Sequence, residues 1–272
     1  LVMVAIAASV INSQLPAYGA GALLHPSRRA MTSAVPARCQ ERAFAGVGVS
    51  LGGWQCRASV PRRGTIVYLH GVADNRAGAA GVVERFAPLG FDVVAYDSRG
   101  HGASGGDYCT YGFYEKQDLH QVIDAIGATD VILIGHSLGA AVALQAAADD
   151  PRIRGVVAAS SFSDLRTVAT ERAPSFFSAG TIAAAFVRAE QDGHFVVDEV
   201  SPVRSAGRIT VPVLIIQGDA DRETQPAHAQ RIFAALAGPK QLILVPGAGH
   251  NDALRQEVWT AIETWVRSAL PF

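Results

Sequence analysis

Ser137 stands at the centre of Gly135-His136-Ser137-Leu138-Gly139, between the apolar run VILI and an Ala-rich segment. Glycines on both sides permit a turn too tight for side chains, so the hydroxyl is lifted clear of a strand end. A helix beginning at Leu138 directs its amino terminus at the same point and stabilises negative charge there. The pattern predicts that Ser137 is a nucleophile; a structural serine in a Gly-rich turn is the alternative.

A serine hydroxyl is a weak nucleophile at neutral pH and requires a general base. His250 ends the sequence PGAGH after the last apolar run, where small residues allow a loop to bring the imidazole over the strand ends, and no other His follows it. We interpret His250 as that base, with an ordinary surface His as the alternative. Three carboxylates could orient it: Asp219 and Asp221, which follow VLIIQ, and Asp164, which follows the preceding apolar run.

An oxyanion hole needs two donors aimed at the oxygen on which charge develops. The backbone amide of Leu138, directly after the nucleophile, is the first predicted donor. The second is the amide of Val72, because TIVYL runs into His70-Gly71-Val72 and Gly71 allows the backbone to turn toward the site. His70 itself is interpreted as a residue whose ring fixes this loop, and less readily as a base.

Short apolar runs alternate with helical segments, the rhythm of a mostly parallel sheet with helices on both faces. The predicted strands are Thr65–Leu69, Asp92–Tyr96, Val131–Ile134, Gly155–Ala159, Val213–Gln217 and Gln241–Val245. The predicted helices are Ala77–Leu89, Tyr114–Ile126, Leu138–Ala148, Ala227–Ala237 and Asn251–Ala269. The rhythm breaks between about residues 160 and 208, where aromatic and small apolar residues predict a small cap over an acyl pocket, or else a crossover helix with a long loop.

The chain has 272 residues, 49% hydrophobic and 17% charged, with a formal net charge of -1. This length fits one large α/β domain, and the charge balance provides no basic field for nucleic acid. The run Leu1–Ile11 is uncharged and too short to span a bilayer, which needs about 20 residues. It is either the distal part of a signal peptide or membrane anchor, or a helix that packs on the domain; it could also contact a second copy in a dimer.

Cys39, Cys56 and Cys109 lack the spacing of a metal site. An alternating run on each side of Val47 and Gly48 predicts a hairpin that sets Cys39 opposite Cys56, so these two are either disulfide-bonded or two reduced cysteines in a sheet. A disulfide would favour export or membrane association over a cytoplasmic location.

The motifs YLHGVADNR, AYDSRGHGASGG, LIGHSLGAAVAL, SPVRSAGRITVPVLIIQGDADRETQP and VPGAGH occur in this order. Together they resemble the α/β-hydrolase superfamily, and within it the dienelactone-hydrolase-like esterases and the catalytic domains of prolyl-oligopeptidase-like peptidases. The resemblance begins at about Arg42 and omits the predicted cap. It implies that the acid is Asp221, three positions beyond Gly218, and that Asp219 is a turn residue. It also implies that Asp97 and Arg99 are structural.

The resemblance implies an α/β-hydrolase fold with a small cap insertion after the sixth strand. We divide the chain into an apolar arm and connector at residues 1–38 and a hydrolase domain at 39–272, with the cap at about 160–208. We expect a carboxylesterase of short or medium acyl or small aryl esters that uses Ser137, His250 and Asp221 and needs no cofactor or metal. The alternatives are an amidase, peptidase or thioesterase with the same triad, or a noncatalytic binding protein on this fold.

Overall fold

The computed structural model describes residues 2–269, with side chains from residue 13 onward. Within these residues, eight strands form one sheet in the order β1-β2-β4-β3-β5-β6-β7-β8. The strands are β1 (Cys39–Gly46), β2 (Val49–Cys56), β3 (Gly64–Leu69), β4 (Phe91–Tyr96), β5 (Val131–His136), β6 (Ile153–Ala159), β7 (Val213–Gly218) and β8 (Lys240–Val245). β1 and β2 form an antiparallel hairpin that joins β4, whereas β3 to β8 run parallel.

Helices cover both faces of this sheet, and others pack beside it around a further core. They are α1 (Val2–Leu24), α2 (Ala80–Phe86), α3 (Glu115–Ile126), α4 (Leu138–Ala147), α5 (Leu165–Glu171), α6 (Ala179–Gly193), α7 (Pro202–Ala206), α8 (Pro226–Ala235) and α9 (Gln256–Ala269). One apolar core packs beneath α3, α4 and α8, and a second lies on the other face beneath α2 and α9. The predicted α/β class, with segments inserted after the sixth strand, is therefore confirmed.

All six predicted parallel strands are present, extended by one or two residues. The strands from β3 to β7 are almost wholly buried, which explains their continuous apolar runs, whereas β8 at the edge is largely exposed. Two helix predictions were wrong in extent. The segment predicted as one helix at Ala77–Leu89 is a short α2 between two 3₁₀ turns, ended by Pro88 and by Gly90 in the left-handed region with φ 89°. The helix predicted from Asn251 begins at Gln256, because the chain after His250 first turns, with the Asp252 amide donating to the Gly249 carbonyl.

The β1–β2 hairpin turns at Val47 and Gly48, and Gly48 has a φ of 68° that favours glycine. The register pairs Cys39 with Cys56 directly across the two strands, and a disulfide joins them. Cys109 is a free, buried thiol. Of the two alternatives for this pair of cysteines, the bonded one is present.

A third apolar core lies where α5 and α6 meet α1. Ala20 and Leu24 of α1 are each 1% exposed, so the end of this helix packs on the fold. The run Leu1–Ile11, on which the leader or anchor hypothesis depends, lies outside the residues whose side chains are described. Among the helices of the described residues, none combines the length and apolar character needed to cross a bilayer.

Candidate active site

Ser137 lies in the turn between β5 and α4, in a backbone conformation with φ 52° that L-residues adopt at a cost. The turn is possible because its flanking positions carry no side chain. A Cβ on Gly135 would overlap the Gly139 carbonyl, and a Cβ on Gly139 would overlap the Leu69 carbonyl of β3. These contacts explain why glycines flank the serine, and the turn leaves Ser137 9% exposed.

A continuous chain of hydrogen bonds begins at this hydroxyl. Ser137 Oγ lies 2.9 Å from His250 Nε2, and His250 Nδ1 lies 2.8 Å from Asp221 Oδ2. A proton on Nδ1 is donated to the carboxylate, which leaves Nε2 free to accept from the serine. The structure thus brings together the three residues predicted from sequence, although they are separated by up to 113 positions along the chain.

Asp221 is held as a carboxylate by its surroundings. The amides of Glu223 and Thr224 donate to Oδ1 at 2.8 and 2.9 Å, and the Gln217 side-chain amide donates to Oδ2 at 3.0 Å. Burial alone would raise the pKa of Asp221, but the hydrogen bond from His250 and those from the two backbone amides outweigh it. The pKa of Asp221 therefore lies well below its usual value, and the group stays ionised.

The two other candidate acids have local structural roles. Asp219 accepts the Gly247 amide at 2.6 Å in the turn after β7. Asp164 caps the amino terminus of α5 by accepting the Thr167 amide at 2.9 Å. Neither makes a hydrogen bond to His250 in the described structure, whereas Asp221 does.

His70 fixes the first loop, as interpreted from the sequence. Its Nδ1 contacts the Gly71 carbonyl at 2.7 Å, and its Nε2 accepts the Ser98 amide at 2.9 Å. Burial, reinforced by neighbouring His101, lowers the pKa of His70 to about 4, so the ring is neutral near pH 7.

Asp97 and Arg99 form buried ion pairs beside this loop. Asp97 pairs with Arg76, and Arg99 donates to Asp118 at 2.7 and 2.8 Å. Both residues connect the end of β4 to neighbouring segments, in agreement with the structural role that the resemblance implies.

The predicted oxyanion donors border the same point. Val72 and Leu138 both line the cavity at Ser137. A Cβ on Gly71 would lie 3.1 Å from His136 Nδ1 and 3.5 Å from Ser137 Cβ, so the first loop packs directly on the turn that carries the serine. Leu138 is the first residue of α4, where backbone amides have no intrahelical acceptor. Donation of these two amides to a substrate remains a prediction.

Sequence reasoning missed two residues, His136 and Ser160, that hold the backbone of His250 in place. The His250 carbonyl contacts His136 Nε2 at 3.0 Å and accepts the Ser160 hydroxyl at 3.1 Å. Burial lowers the pKa of His136, so its ring is neutral and Nε2 can donate one proton to this carbonyl. Both residues are polar and lie at the carboxyl ends of β5 and β6, a signal that could have indicated them.

The Ser137 cavity, the space bordered by Ser137, α1, α5 and α6, has a volume of about 490 Å³. Apolar side chains of the segment after β6 form much of its wall: Phe162, Leu165, Val168, Phe177, Ile182 and Phe186. The sequence predicted a cap that supplies such a wall. It did not predict that Tyr18, Gly19, Ala22 and Leu23 of α1 would line the same cavity, because α1 was assigned to an arm outside the domain.

Among the described residues, no cluster of three or more His, Cys, Asp or Glu side chains is arranged to hold a metal ion.

The family model described as the alpha/beta hydrolase fold matches residues 64–205, more than half of the chain. The chain belongs to this family. A second model, described as PhoPQ-activated pathogenicity-related protein, matches residues 183–270.

Among curated proteins, the uncharacterized protein YqkD of Bacillus subtilis is 32% identical over 199 residues, which are 68% of this chain and 64% of that protein. The chain thus spans just under two thirds of the length of this relative. A monoacylglycerol lipase of Mycolicibacterium smegmatis is 25% identical over 285 residues, covering 85% of this chain and 98% of the lipase. The solved esterase Pf2001 of Pyrococcus furiosus shares the fold, with a TM-score of 0.72 and 22% identity over 90% of this chain and 98% of that one.

Proposed function

We propose that this protein is a serine carboxylesterase that cleaves esters of short or medium acyl chains, or small aryl esters, through an acyl-enzyme on Ser137. The observation that carries the proposal is the unbroken hydrogen-bond chain from Ser137 through His250 to Asp221 at one end of an apolar cavity. The similarity to a monoacylglycerol lipase, matched over nearly its whole length, supports an ester as substrate.

In the first step Ser137 Oγ attacks the ester carbonyl carbon while His250 Nε2 takes the hydroxyl proton. Asp221 stabilises the imidazolium through the proton on Nδ1. The amides of Val72 and Leu138 donate to the oxygen that becomes negative. When the tetrahedral intermediate collapses, the C–O bond to the alcohol breaks and the alcohol leaves with the proton from His250.

In the second step a water molecule gives its proton to His250 Nε2 and attacks the acyl carbon. The bond to Ser137 Oγ breaks, the serine regains its proton from His250, and the free acid leaves. Every proton in the cycle passes through His250 Nε2, so catalysis depends on an imidazole ring held within hydrogen-bonding distance of Ser137 Oγ. The contacts of His136 and Ser160 with the His250 carbonyl support that position.

The test is hydrolysis of nitrophenyl esters from acetate to palmitate by the parent protein and by Ser137→Ala. We expect turnover in the parent and none above background in the variant. A fluorophosphonate probe should label the parent and leave Ser137→Ala unlabelled. Labelling without turnover of any ester would reject the carboxylesterase proposal and direct the search to amides and thioesters. Absence of both would reject a catalytic serine.

A further inference from the structure

One wall of the Ser137 cavity comes from residues far from the triad in sequence. Tyr18, Gly19, Ala22 and Leu23 line the cavity from α1. Residues at this spacing share one side of a helix, so α1 presents a continuous face to the cavity. The facing wall is α6, the main helix of the segment after β6. Both helices therefore contribute to the wall of the cavity.

This part of α1 is anchored to the fold. Leu24 is 1% exposed, and its carbonyl accepts the Cys109 amide at 2.9 Å. The Leu23 carbonyl accepts the Tyr111 hydroxyl at 3.1 Å. Both carbonyls lie in the last turn, where a helix leaves its acceptors without intrahelical donors. These bonds give α1 a defined position, as a wall that selects substrates requires.

The two helices approach each other closely at Gly19. A Cβ at this position would lie 3.0 Å from Ala185 Cβ and 3.0 Å from Phe177 Cε2, closer than most such contacts. A Cβ on Gly21, two residues further along, would meet nothing within 4 Å. The face of α1 that carries Gly19 is therefore the one packed on α6.

The lining between Ser137 and α1 suits an alkyl chain. Its deep side chains, Leu165, Val168 and Phe186, are apolar and at most 6% exposed. Arg172 also lines the cavity, but its positive charge is paired with the Glu223 carboxylate at 3.1 Å and is therefore not left to attract an anionic ligand. Apolar ligand sites of about 300 to 1,000 Å³ hold small organic molecules, and this cavity of about 490 Å³ lies within that range.

We propose that the substrate carries a single unbranched alkyl chain of medium length, that this chain runs from Ser137 into the cavity bordered by α6 and α1, and that α1 sets the preferred chain length. The proposal rests on the esterase function proposed above and specifies its acyl group. It assigns specificity to a helix that contributes no residue to the triad.

Ala22 offers a direct test, because it is an exposed residue of α1 that lines the cavity. Ala17 is a matched control on the same helix, also exposed and outside the lining. In Ala22→Phe the phenyl ring occupies part of the cavity that the alkyl chain of the substrate would fill. If it displaces about three methylenes, kcat/KM for the octanoate ester falls about 60-fold, at about fourfold per buried methylene. The acetate ester is cleaved as by the parent, and Ala17→Phe keeps the parent profile at every chain length.

Two results would overturn the assignment of α1. One is an unchanged chain-length profile in Ala22→Phe, and the other is an equal loss on acetate and octanoate. Thermal melts of both Phe variants establish that each is folded.

A binding measurement separates this inference from the esterase proposal. Equilibrium dialysis measures octanoate binding to three proteins that cannot turn over substrate. These are Ser137→Ala, the double variant Ser137→Ala/Ala22→Phe and the double variant Ser137→Ala/Ala17→Phe. If the parent cleaves no ester, the esterase proposal fails while this measurement still tests the wall. Octanoate affinity that falls about 60-fold only with Ala22→Phe supports the proposal. Equal affinity in the two Phe variants rejects it, even where esterase activity is present.

Discussion

Replacing Asp221 by Asn should abolish most catalysis while leaving substrate binding intact. The side chains have the same shape, but one carboxylate oxygen becomes an NH₂ group. If that group replaces Oδ1, it faces the amides of Glu223 and Thr224, two donors at 2.8 and 2.9 Å from the present oxygen. If it replaces Oδ2, it faces His250 Nδ1 and the Gln217 side-chain amide, and also the Thr224 hydroxyl at 2.9 Å, which can accept while it donates to the Ser160 carbonyl.

Both orientations oppose donors, and each unsatisfied buried donor costs about 1–3 kcal/mol. With the NH₂ group at the Oδ2 position, the clash between two donors at His250 Nδ1 disappears if His250 changes tautomer. Nδ1 then accepts from the Asn side chain, and Nε2 carries the proton. Nε2 then faces Ser137 as a donor and cannot take the serine proton. A tautomer change of this kind lowers kcat about 10⁴-fold, which corresponds to about 5.4 kcal/mol of transition-state stabilisation. KM should change little, because Asp221 does not line the cavity.

The assay is steady-state hydrolysis of a nitrophenyl ester that the parent cleaves. The rate of fluorophosphonate labelling is measured as well, because it reports the reactivity of the Ser137 hydroxyl independently of how the ester binds. Asp219→Asn is the control, since it alters one exposed turn contact. The reasoning is refuted if Asp221→Asn keeps more than about a tenth of parental kcat, a cost of under about 1.4 kcal/mol. An equal loss in Asp219→Asn, or in Asp164→Asn, would refute it as well.

The same variant should change how stability depends on pH. The pKa of Asp221 is depressed in the folded protein, so its ionised form stabilises the fold fully above the unfolded value of about 3.9. This contribution is lost as pH falls through the depressed folded pKa. The thermal midpoint of the parent should therefore exceed that of Asp221→Asn most clearly at neutral pH, and the gap should narrow below about pH 4. A gap that widens on acidification would contradict this linkage.

Two further predictions concern stability. The disulfide closes a loop with a sequence separation of 17, so its reduction, or replacement of Cys39 and Cys56 by Ser, should lower the free energy of unfolding by about 3 kcal/mol. Urea titration with and without reductant measures this, and a midpoint insensitive to reductant would contradict it. Asp97→Ala removes the buried partner of the Arg76 guanidinium, which is 5% exposed, and leaves it the exposed Glu41 carboxylate at 3.4 Å; this loss should cost about 3–5 kcal/mol. Denaturant titration measures the loss, and a change below about 1 kcal/mol, typical of exposed pairs, would show that the pair is not desolvated.

Much of the sheet and the triad could be predicted because each depends on local patterns. A parallel strand buried on both faces must be apolar throughout, and the turn at Ser137 requires glycine on each side because carbonyls occupy the space of a Cβ. The choice of Asp221 over Asp219 required the resemblance, since both carboxylates follow the same strand. The structure separates them by partner, with His250 facing one and the Gly247 amide facing the other.

The position of α1 could not be predicted in this way. Its sequence from Val2 to Leu24 contains no charged residue, so no polar face indicates which side is buried. Its contact with α6 is a tertiary pairing of segments about 160 positions apart. The early start predicted for α9 failed for a related reason, because apolar spacing after Asn251 does not reveal that the chain must first turn away from His250.

The His250 carbonyl is held by side chains at the ends of two sheet strands, whereas the residue itself lies on a loop. The position of the His250 imidazole therefore depends mainly on these strand ends and little on the other residues of the loop. Substitutions at the exposed positions Asn251, Asp252 and Arg255, beyond these anchoring contacts, should leave the imidazole in place. The surface beside the triad can therefore change at these exposed positions without any rebuilding of the triad.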